Sequence, residues 1–313
     1  MAKNRTSIYS ALIANLLIAL TKFTAGGFTN SSSMISEGIH SLVDTVDQVL
    51  LLYGLKRSKK APDVTHPFGY GKELYFWSFI VSILIFGLGG GISIYQGIQH
   101  IIRPEPVKDP LWNYIVLGLS LIFEGSSLLI ATKEFNRVRN GLSWWKAIVK
   151  SKDPSSFLVL FEDGAAVLGL LIVFVFMLIG HNFNLPYMDG VASVLVGLLL
   201  VLVSAILARE SRSLLMGEGI APETQQTIRA IAEKDPAVVK VVNVLSTYQS
   251  PEDVTLMLII DFNPDIDTED ITAAIERIRE AIKTTFPLIK LVFVQPQTYS
   301  ILPGTLGTEQ KKP

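Results

Sequence analysis

Residues 76–102 contain no aspartate, glutamate, lysine or arginine and form a stretch long enough to cross a lipid bilayer. A membrane-spanning helix needs about 20 mostly apolar residues, and inside the hydrocarbon it must satisfy its own backbone hydrogen bonds. Residues 190–208 form a second uncharged, apolar stretch. Charged residues make up only 18% of the chain, against roughly 25% in soluble domains. The sequence therefore predicts a protein of the lipid bilayer with several spanning helices.

Six predicted membrane helices form an all-α transmembrane domain over residues 1–212. They cover approximately residues 7–28, 32–56, 76–102, 111–133, 155–180 and 188–209. The first follows a short basic stretch that resembles a signal peptide, but its apolar residues continue past Lys22 without a convincing cleavage site. We therefore expect this segment to be retained as a membrane helix.

Lysine and arginine concentrate in alternate connections between these helices. The N-terminal stretch and the connections after the second, fourth and sixth helices are basic, whereas the opposite connections hold only Arg103 and Lys108. Basic residues near the ends of membrane helices mark the cytoplasmic side. We therefore expect both termini to be cytoplasmic, and a bacterial chain of this kind to lie in the inner membrane.

After residue 212 the sequence becomes more polar and predicts a small cytoplasmic domain. Residues 223–234 are helix-like, 238–248 and 254–262 are rich in β-branched residues, 267–285 are amphipathic, and 288–294 read as a last strand. The order α-β-β-α-β predicts a ferredoxin-like α+β domain over residues 213–300, with helices on one face of a sheet. Residues 301–313 are predicted to be a flexible tail.

A stripe of ionisable residues interrupts the second predicted helix. Glu37, His40, Asp44 and Asp47 are spaced 3, 4 and 3 residues apart, which places them on one helical face. Each such group costs roughly 2.5–3.5 kcal/mol at the centre of a membrane helix and usually marks a transport pathway. One polar residue would fit a hydrogen bond between helices, but four in a stripe favour a function.

The stripe predicts a binding site for a divalent cation. Because the chain has no cysteine, a transition-metal site must be built from imidazole and carboxylate ligands. His40, Asp44 and one carboxylate of the fifth helix, from Glu162 or Asp163, would provide three ligands suited to Zn²⁺, Mn²⁺, Fe²⁺ or Co²⁺. Adjacent helical residues point about 100° apart, so at most one of the two is expected to face a given point of the stripe squarely.

Other functions fit the sequence less well. The net charge is −1 and the chain has no basic patch with interleaved aromatic residues, which argues against nucleic-acid binding. An intramembrane hydrolase is disfavoured because the chain lacks a His-Glu-x-x-His motif, so no enzyme activity and no prosthetic group are predicted. Glu124 in the fourth helix is ambiguous, and Lys22 is expected to be a counter-charge or to extend toward the membrane surface.

The connection after the second helix offers a second candidate site. Its sequence, "KAPDVTHPFGYGKE", has the prolines and glycines of an ordered turn. Asp63 and His66 could bind a metal there, although a lone loop histidine is more often a packed side chain. The "GYGK" sequence lacks the spacing of a phosphate-binding loop.

Three segments of the chain resemble the cation diffusion facilitator family. "SSSMISEGIHSLVD" is similar to that family's second-helix motif, "APDVTHPFGYGKE" to the signature that follows it, and "ANLLIALTKFTAG" to its first helix. The segments "EGIHSLVDTVDQ" and "FEDGAAVLG" are most similar to the subgroup of mitochondrial zinc-transporter-nine-like proteins. The resemblance covers essentially the whole chain. It implies a homodimer, dimerising through the cytoplasmic domain, that exports divalent metals, usually zinc, in exchange for protons.

The family's transport site takes two ligands four residues apart from each of the second and fifth helices. The resemblance therefore implies His40, Asp44 and Asp163 as ligands, with Val159 at the fourth position, where valine cannot ligate. Glu162, Asp47, Glu124 or water would have to complete the shell, and Asp47 and Glu37 would otherwise serve in the metal route or a proton relay. This departure keeps Mn²⁺, Fe²⁺ or Co²⁺ transport open, and also a transport-incompetent regulatory or scaffold relative.

Two further departures concern metal sites outside the membrane. Some family members bind metal in the connection after the second helix, but here Tyr70 replaces the third ligand beside Asp63 and His66. Residues 216–313 contain neither histidine nor cysteine. A family-style zinc cluster in the cytoplasmic domain is therefore not expected.

Overall fold

A computed structural model describes residues 2–105, 110–139, 141, 143–144, 147, 152 and 154–297. The chain forms two compact units, Met1–Leu215 and Met216–Pro313. The predicted flexible tail, residues 301–313, lies outside the described residues.

The first unit is built from long helices. In chain order they are α1 (Ala2–Thr29), α2 (Ser32–Ser58), α3 (Glu73–Leu84), a π-helical segment (Ile85–Gly91), α4 (Ile92–Ile102), α5 (Pro110–Val138), α6 (Pro154–Phe183) and α7 (Tyr187–Leu215). Among the described residues, four helical segments are long and apolar enough to cross a membrane: Glu73–Ile102, Leu111–Arg137, Phe157–Phe183 and Tyr187–Leu215. The count of six spanning helices therefore stays a prediction.

Serine and aspartate fix the beginning of α2. Ser31 is the N-cap, and its side chain accepts a hydrogen bond from the backbone N–H of Met34. The buried carboxylate of Asp189, from α7, accepts hydrogen bonds from the hydroxyls of Ser31, Ser32 and Ser33. It also accepts from the backbone N–H of Ser32, at 2.6 Å. An anion at a helix N-terminus is favourable, so Asp189 holds α2 at one end of its ionisable stripe.

Glycines bring α4 and α7 close together. A Cβ atom at Gly97 would lie 2.6 Å from the carbonyl oxygen of Gly190, so neither position has room for a side chain. Beside this contact, Ser193 donates to the carbonyl oxygen of Ser93 at 2.9 Å and also pairs with Ser36 of α2. The helices α2, α4 and α7 are thus joined by close packing and hydrogen bonds.

The second unit has the predicted order of elements. Its elements are α8 (Pro222–Ala232), β1 (Val238–Ser250), β2 (Asp253–Phe262), α9 (Thr268–Thr285) and β3 (Ile289–Pro296). The strands form one sheet in the order β1-β2-β3, with β1 antiparallel and β3 parallel to β2. Ile278 and Ile282 of α9 are buried in one core with Leu258 of β2. A small α/β domain is confirmed, and the ferredoxin-like assignment stays a prediction.

Candidate functional site

The ionisable stripe of α2 faces the interior of the first unit. Glu37 and Asp47 are 0% exposed, His40 is 2% exposed and Asp44 is 8% exposed. Apolar residues on other faces of the same helix, such as Leu42 and Val46, are exposed. The helix therefore turns its charged groups inward, which is the only arrangement that lipid tolerates cheaply.

Several atoms of the stripe are available to a ligand. The Nδ1 atom of His40 lies 3.2 Å from Oδ1 of Asp44, one turn further along α2. Apart from this contact, within the described part of the chain neither ring nitrogen of His40, nor Asp44 Oδ1, nor either carboxylate oxygen of Asp47 has a hydrogen-bond partner. Buried polar atoms are costly without a partner. Such atoms are suited to binding a cation or a proton.

The fifth predicted helix, α6, places both of its carboxylates beside the stripe. Glu162 is 5% exposed and Asp163 is 9% exposed. Asp163 lies within electrostatic range of His40 and Asp44, whereas Glu162 lies within range of Asp44 and Asp47. The two adjacent carboxylates therefore lie near different parts of the stripe, which is several turns long.

A serine of α5 orients Asp163. The hydroxyl of Ser127 donates to Oδ2 of Asp163 at 2.7 Å. The sequence analysis did not single out Ser127. Its position three residues after Glu124, on the same face of α5, is the signal that could have found it.

The position where a fourth ligand would be expected lies outside this cluster. Val159 lies one helical turn before Asp163, and it is 36% exposed. In the described residues, no three histidine, aspartate or glutamate side chains are close enough to hold one metal ion together. Binding an ion at His40, Asp44 and Asp163 would therefore require these side chains to move toward one another.

Lys22 of α1 contacts the stripe at Glu37. It is 0% exposed, and its ammonium lies 3.1 Å from Glu37 Oε2, 2.8 Å from the hydroxyl of Ser41 and 4.0 Å from Glu124 Oε1. Lys22 is thus a buried counter-charge, and the alternative that it extends to the membrane surface is wrong. The cluster draws charged residues from α1, α2, α5 and α6.

The connection after α2 is closed by its own hydrogen bonds. Asp63 accepts from the ammonium of Lys60 at 2.8 Å and from the hydroxyl of Tyr70 at 2.7 Å. It also accepts from the hydroxyl of Thr65 and the backbone N–H of His66. The Lys60 ammonium, followed by the other donors, holds the pKa of Asp63 well below its usual range. The His66 ring stacks on Tyr70, with centroids 4.1 Å apart.

Long apolar helices enclosing a buried cluster of charged side chains define the chain as a multi-pass membrane protein with an intramembrane ionic site. The family model of the cation efflux transmembrane domain matches residues 8–216. The chain therefore belongs to the cation efflux family, and the resemblance to the cation diffusion facilitators is confirmed.

Named relatives add to this assignment. The human proton-coupled zinc antiporter SLC30A9, mitochondrial, is 39% identical over 239 residues, which cover 76% of this chain and 42% of that protein. The Bacillus subtilis manganese efflux system protein MneP is 31% identical over 225 residues, 71% of each chain. The chain thus spans less than half the length of its human relative. The copper form of the MamM C-terminal domain is 23% identical, with 26% of this chain and 90% of that domain covered and a TM-score of 0.23.

Proposed function

We propose that the protein transports divalent metal cations, with Zn²⁺ as substrate exchanged for protons. The observation that carries this proposal is the buried His40–Asp44 pair on α2, with Asp163 of α6 within electrostatic range of both. Imidazole and carboxylate together suit Zn²⁺. The human relative's name describes proton-coupled zinc exchange.

Ligand chemistry explains why cation and proton movement would be coupled. A metal ion binds neutral imidazole and ionised carboxylate, so its binding releases protons and its departure lets them return. Histidine changes charge near physiological pH, which makes the imidazole of His40 a proton acceptor suited to the exchange. In an alternating-access cycle, the cation enters from the cytoplasmic side, binds these three residues, and leaves on the opposite side as protons replace it.

Glu162 is the residue that we propose completes the shell in place of Val159. It is buried, its Oε1 atom makes no hydrogen bond to a described residue, and it lies within electrostatic range of Asp44. Asp47, which lies beside it, and Glu37 would then serve the metal route or the proton relay. Glu124 contacts Lys22 and is assigned to charge balance rather than to the shell.

The proposed arrangement in the membrane follows the basic connections of the sequence. We propose six spanning helices, both termini in the cytoplasm, and the inner membrane as the location of a bacterial chain. The transmembrane domain would cover residues 1–212, and the domain over residues 213–300 would dimerise two copies.

Two alternatives are supported by specific observations. Manganese is a second candidate substrate because MneP is named as a manganese efflux protein, and iron and cobalt share the same ligand preferences. A regulatory or scaffold role is a third candidate, because the position that would supply a fourth ligand carries Val159 with 36% exposure.

Flux of each metal into proteoliposomes tests the proposal and separates these alternatives. Purified protein would be reconstituted with a pH-sensitive dye inside the vesicles and offered Zn²⁺, Mn²⁺, Fe²⁺ or Co²⁺ separately. We expect zinc entry to be fastest and to be matched by proton movement in the opposite direction. Faster flux of another metal would change the substrate, and absence of flux for all four would favour the scaffold role.

A further inference from the structure

The ammonium group of Lys22 occupies a site that has the composition of a cation-binding site. Two carboxylates and one hydroxyl surround it, from Glu37, Glu124 and Ser41. Lys22, Glu37 and Ser41 are almost completely buried, and the side chain of Glu124 is 12% exposed. Oxygen atoms of this kind are the ligands that hard cations prefer.

Glu37 retains binding capacity beyond its contact with Lys22. Its Oε2 atom accepts from Lys22, while Oε1 makes no hydrogen bond to another described residue. Oε1 points toward α6, where a Cβ atom at Gly169 would lie only 2.7 Å away. The carboxylate therefore reaches from α1 to α6, one turn before His40 on the same face of α2.

We propose that the Lys22 ammonium is a built-in cation that fills a second cation subsite formed by Glu37, Ser41 and Glu124, and keeps metal ions out of it. With Lys22 present, its ammonium supplies a positive charge that contacts both carboxyl groups. Without it, the carboxyl groups of Glu37 on α2 and Glu124 on α5 would lose the ammonium that both contact. They would then bind a metal ion or a small ammonium ion from solution.

A cavity lies between the two helices that carry Lys22 and Glu124. It has a volume of about 250 Å³ and is lined by Ile18, Thr21 and Phe123, among others. Thr21 precedes Lys22 and Phe123 precedes Glu124 in the sequence. In Lys22→Ala, the space vacated by the lysine side chain would match a linear alkylammonium ion of the same length.

The Lys22→Ala variant tests the proposal in detergent solution. We expect n-propylammonium to raise the thermal unfolding midpoint of Lys22→Ala and to leave wild-type protein unchanged. Tetramethylammonium has the same charge but no N–H donors, and it should affect neither. Equilibrium dialysis with Zn²⁺ should show one more bound ion per protomer in Lys22→Ala than in wild type, and the Lys22→Ala/Glu37→Gln/Glu124→Gln variant should lose that ion.

Lys22→Arg and Lys22→Gln complete the experiment. Lys22→Arg keeps the charge and should bind the wild-type number of Zn²⁺ ions. If Lys22→Ala does not fold, Lys22→Gln keeps a hydrogen-bond donor but removes the charge, and it should gain the same extra ion. Either folded neutral variant that binds the wild-type number of ions and ignores n-propylammonium overturns the proposal. These measurements do not use transport, so they can fail independently of the proposed function.

Discussion

The Nδ1 atom of His40 lies 3.2 Å from a carboxylate oxygen of Asp44, and both side chains are buried within the helical unit. Rotation of these two side chains on α2 can place the carboxylate against the imidazole, or can turn both groups toward a cation. The structure shows the pair facing itself, with Asp163 nearby but not yet in a common shell.

Alanine at His40 or Asp44 should remove metal-for-proton exchange. Loss of groups that merely support metal ligands costs 10–100-fold in affinity, so loss of a direct ligand should lower flux by at least about 100-fold. Zinc entry and internal pH in proteoliposomes measure both halves of the exchange. His181→Ala, at an exposed histidine near the end of α6, is the matched control. Normal exchange by folded His40→Ala would remove these residues from the site.

Glu162 and Val159 should respond differently to substitution. Glu162→Gln removes a buried carboxyl group beside Asp44, and we expect it to weaken metal binding about tenfold, equivalent to about 1.4 kcal/mol. Val159→His should leave the order of metal preference unchanged, because the side chain at this position is partly turned away from the cluster, at 36% exposure. The flux panel of four metals measures both. A marked gain in zinc selectivity from Val159→His would show instead that α6 can present this position to the ion.

Ser127 should act through Asp163. Its hydroxyl donates to the carboxylate at 2.7 Å, so Ser127→Ala should leave Asp163 less well oriented and weaken metal affinity about tenfold. Ser126→Ala is a neighbouring control, because the Ser126 hydroxyl donates to the carbonyl oxygen of Phe123 on its own helix. The concentration dependence of metal flux should shift for Ser127→Ala alone. Equal shifts in both variants would point to a general effect on α5.

The Glu37 carboxylate should require that position 169 carries no side chain. A Cβ at this position would lie 2.7 Å from Glu37 Oε1, and Glu37 is also tied to Lys22. Gly169→Ala should therefore lower the free energy of unfolding by about 1–3 kcal/mol. Gly164→Ala, on the same helix, meets no atom within 4 Å and should stabilise the helix by up to about 1 kcal/mol.

Shortening the side chain of Glu37 by one methylene tests that explanation. In a Glu37→Asp background, the carboxylate no longer reaches as far toward α6, so Gly169→Ala should cost much less. Unfolding of all variants in the same detergent gives the comparison. A penalty that is equally large in both backgrounds would mean that another neighbour of Gly169 is responsible.

The spacing of residues was enough to predict the inward stripe of α2. Glu37, His40, Asp44 and Asp47 follow the period of a helix, and a membrane allows only one orientation for such a face. Periodicity also predicted two elements of the second unit, each with one buried face: α9 from its helical repeat and β2 from its alternation every second residue.

The partners of the stripe were harder to predict from sequence. Lys22 could have extended to the membrane surface, and only the packing of α1 against α2 and α5 decides that it pairs with Glu37. Ser127 has no distinguishing pattern of its own, since its importance depends on which face of α5 meets Asp163. The exposure of Val159 likewise depends on the rotation of α6, which its almost uniformly apolar sequence does not define.

Acid should loosen the connection after α2. The pKa of Asp63 is depressed in the folded protein, so its stabilising contacts are complete above the ordinary aspartate pKa of about 3.9. They are lost progressively as the pH falls below that value. Amide hydrogen exchange of His66, whose N–H donates to Asp63, should therefore quicken in acid beyond the intrinsic change. Asp63→Asn should exchange quickly at every pH, and Asp265→Asn, at an exposed residue of the second unit, should behave as wild type.

The same connection should not bind zinc in the wild-type protein. The Lys60 ammonium already contacts Asp63 and the hydroxyl of Tyr70, so a metal ion would have to displace a positive charge that is held by both. Zinc should therefore leave hydrogen exchange of His66 and Gly69 unchanged. The Lys60→Ala/Tyr70→His variant removes that charge and adds an imidazole beside Asp63 and His66, and in it zinc should slow exchange. Protection by zinc in wild type would show that the Asp63–His66 pair binds metal despite Lys60.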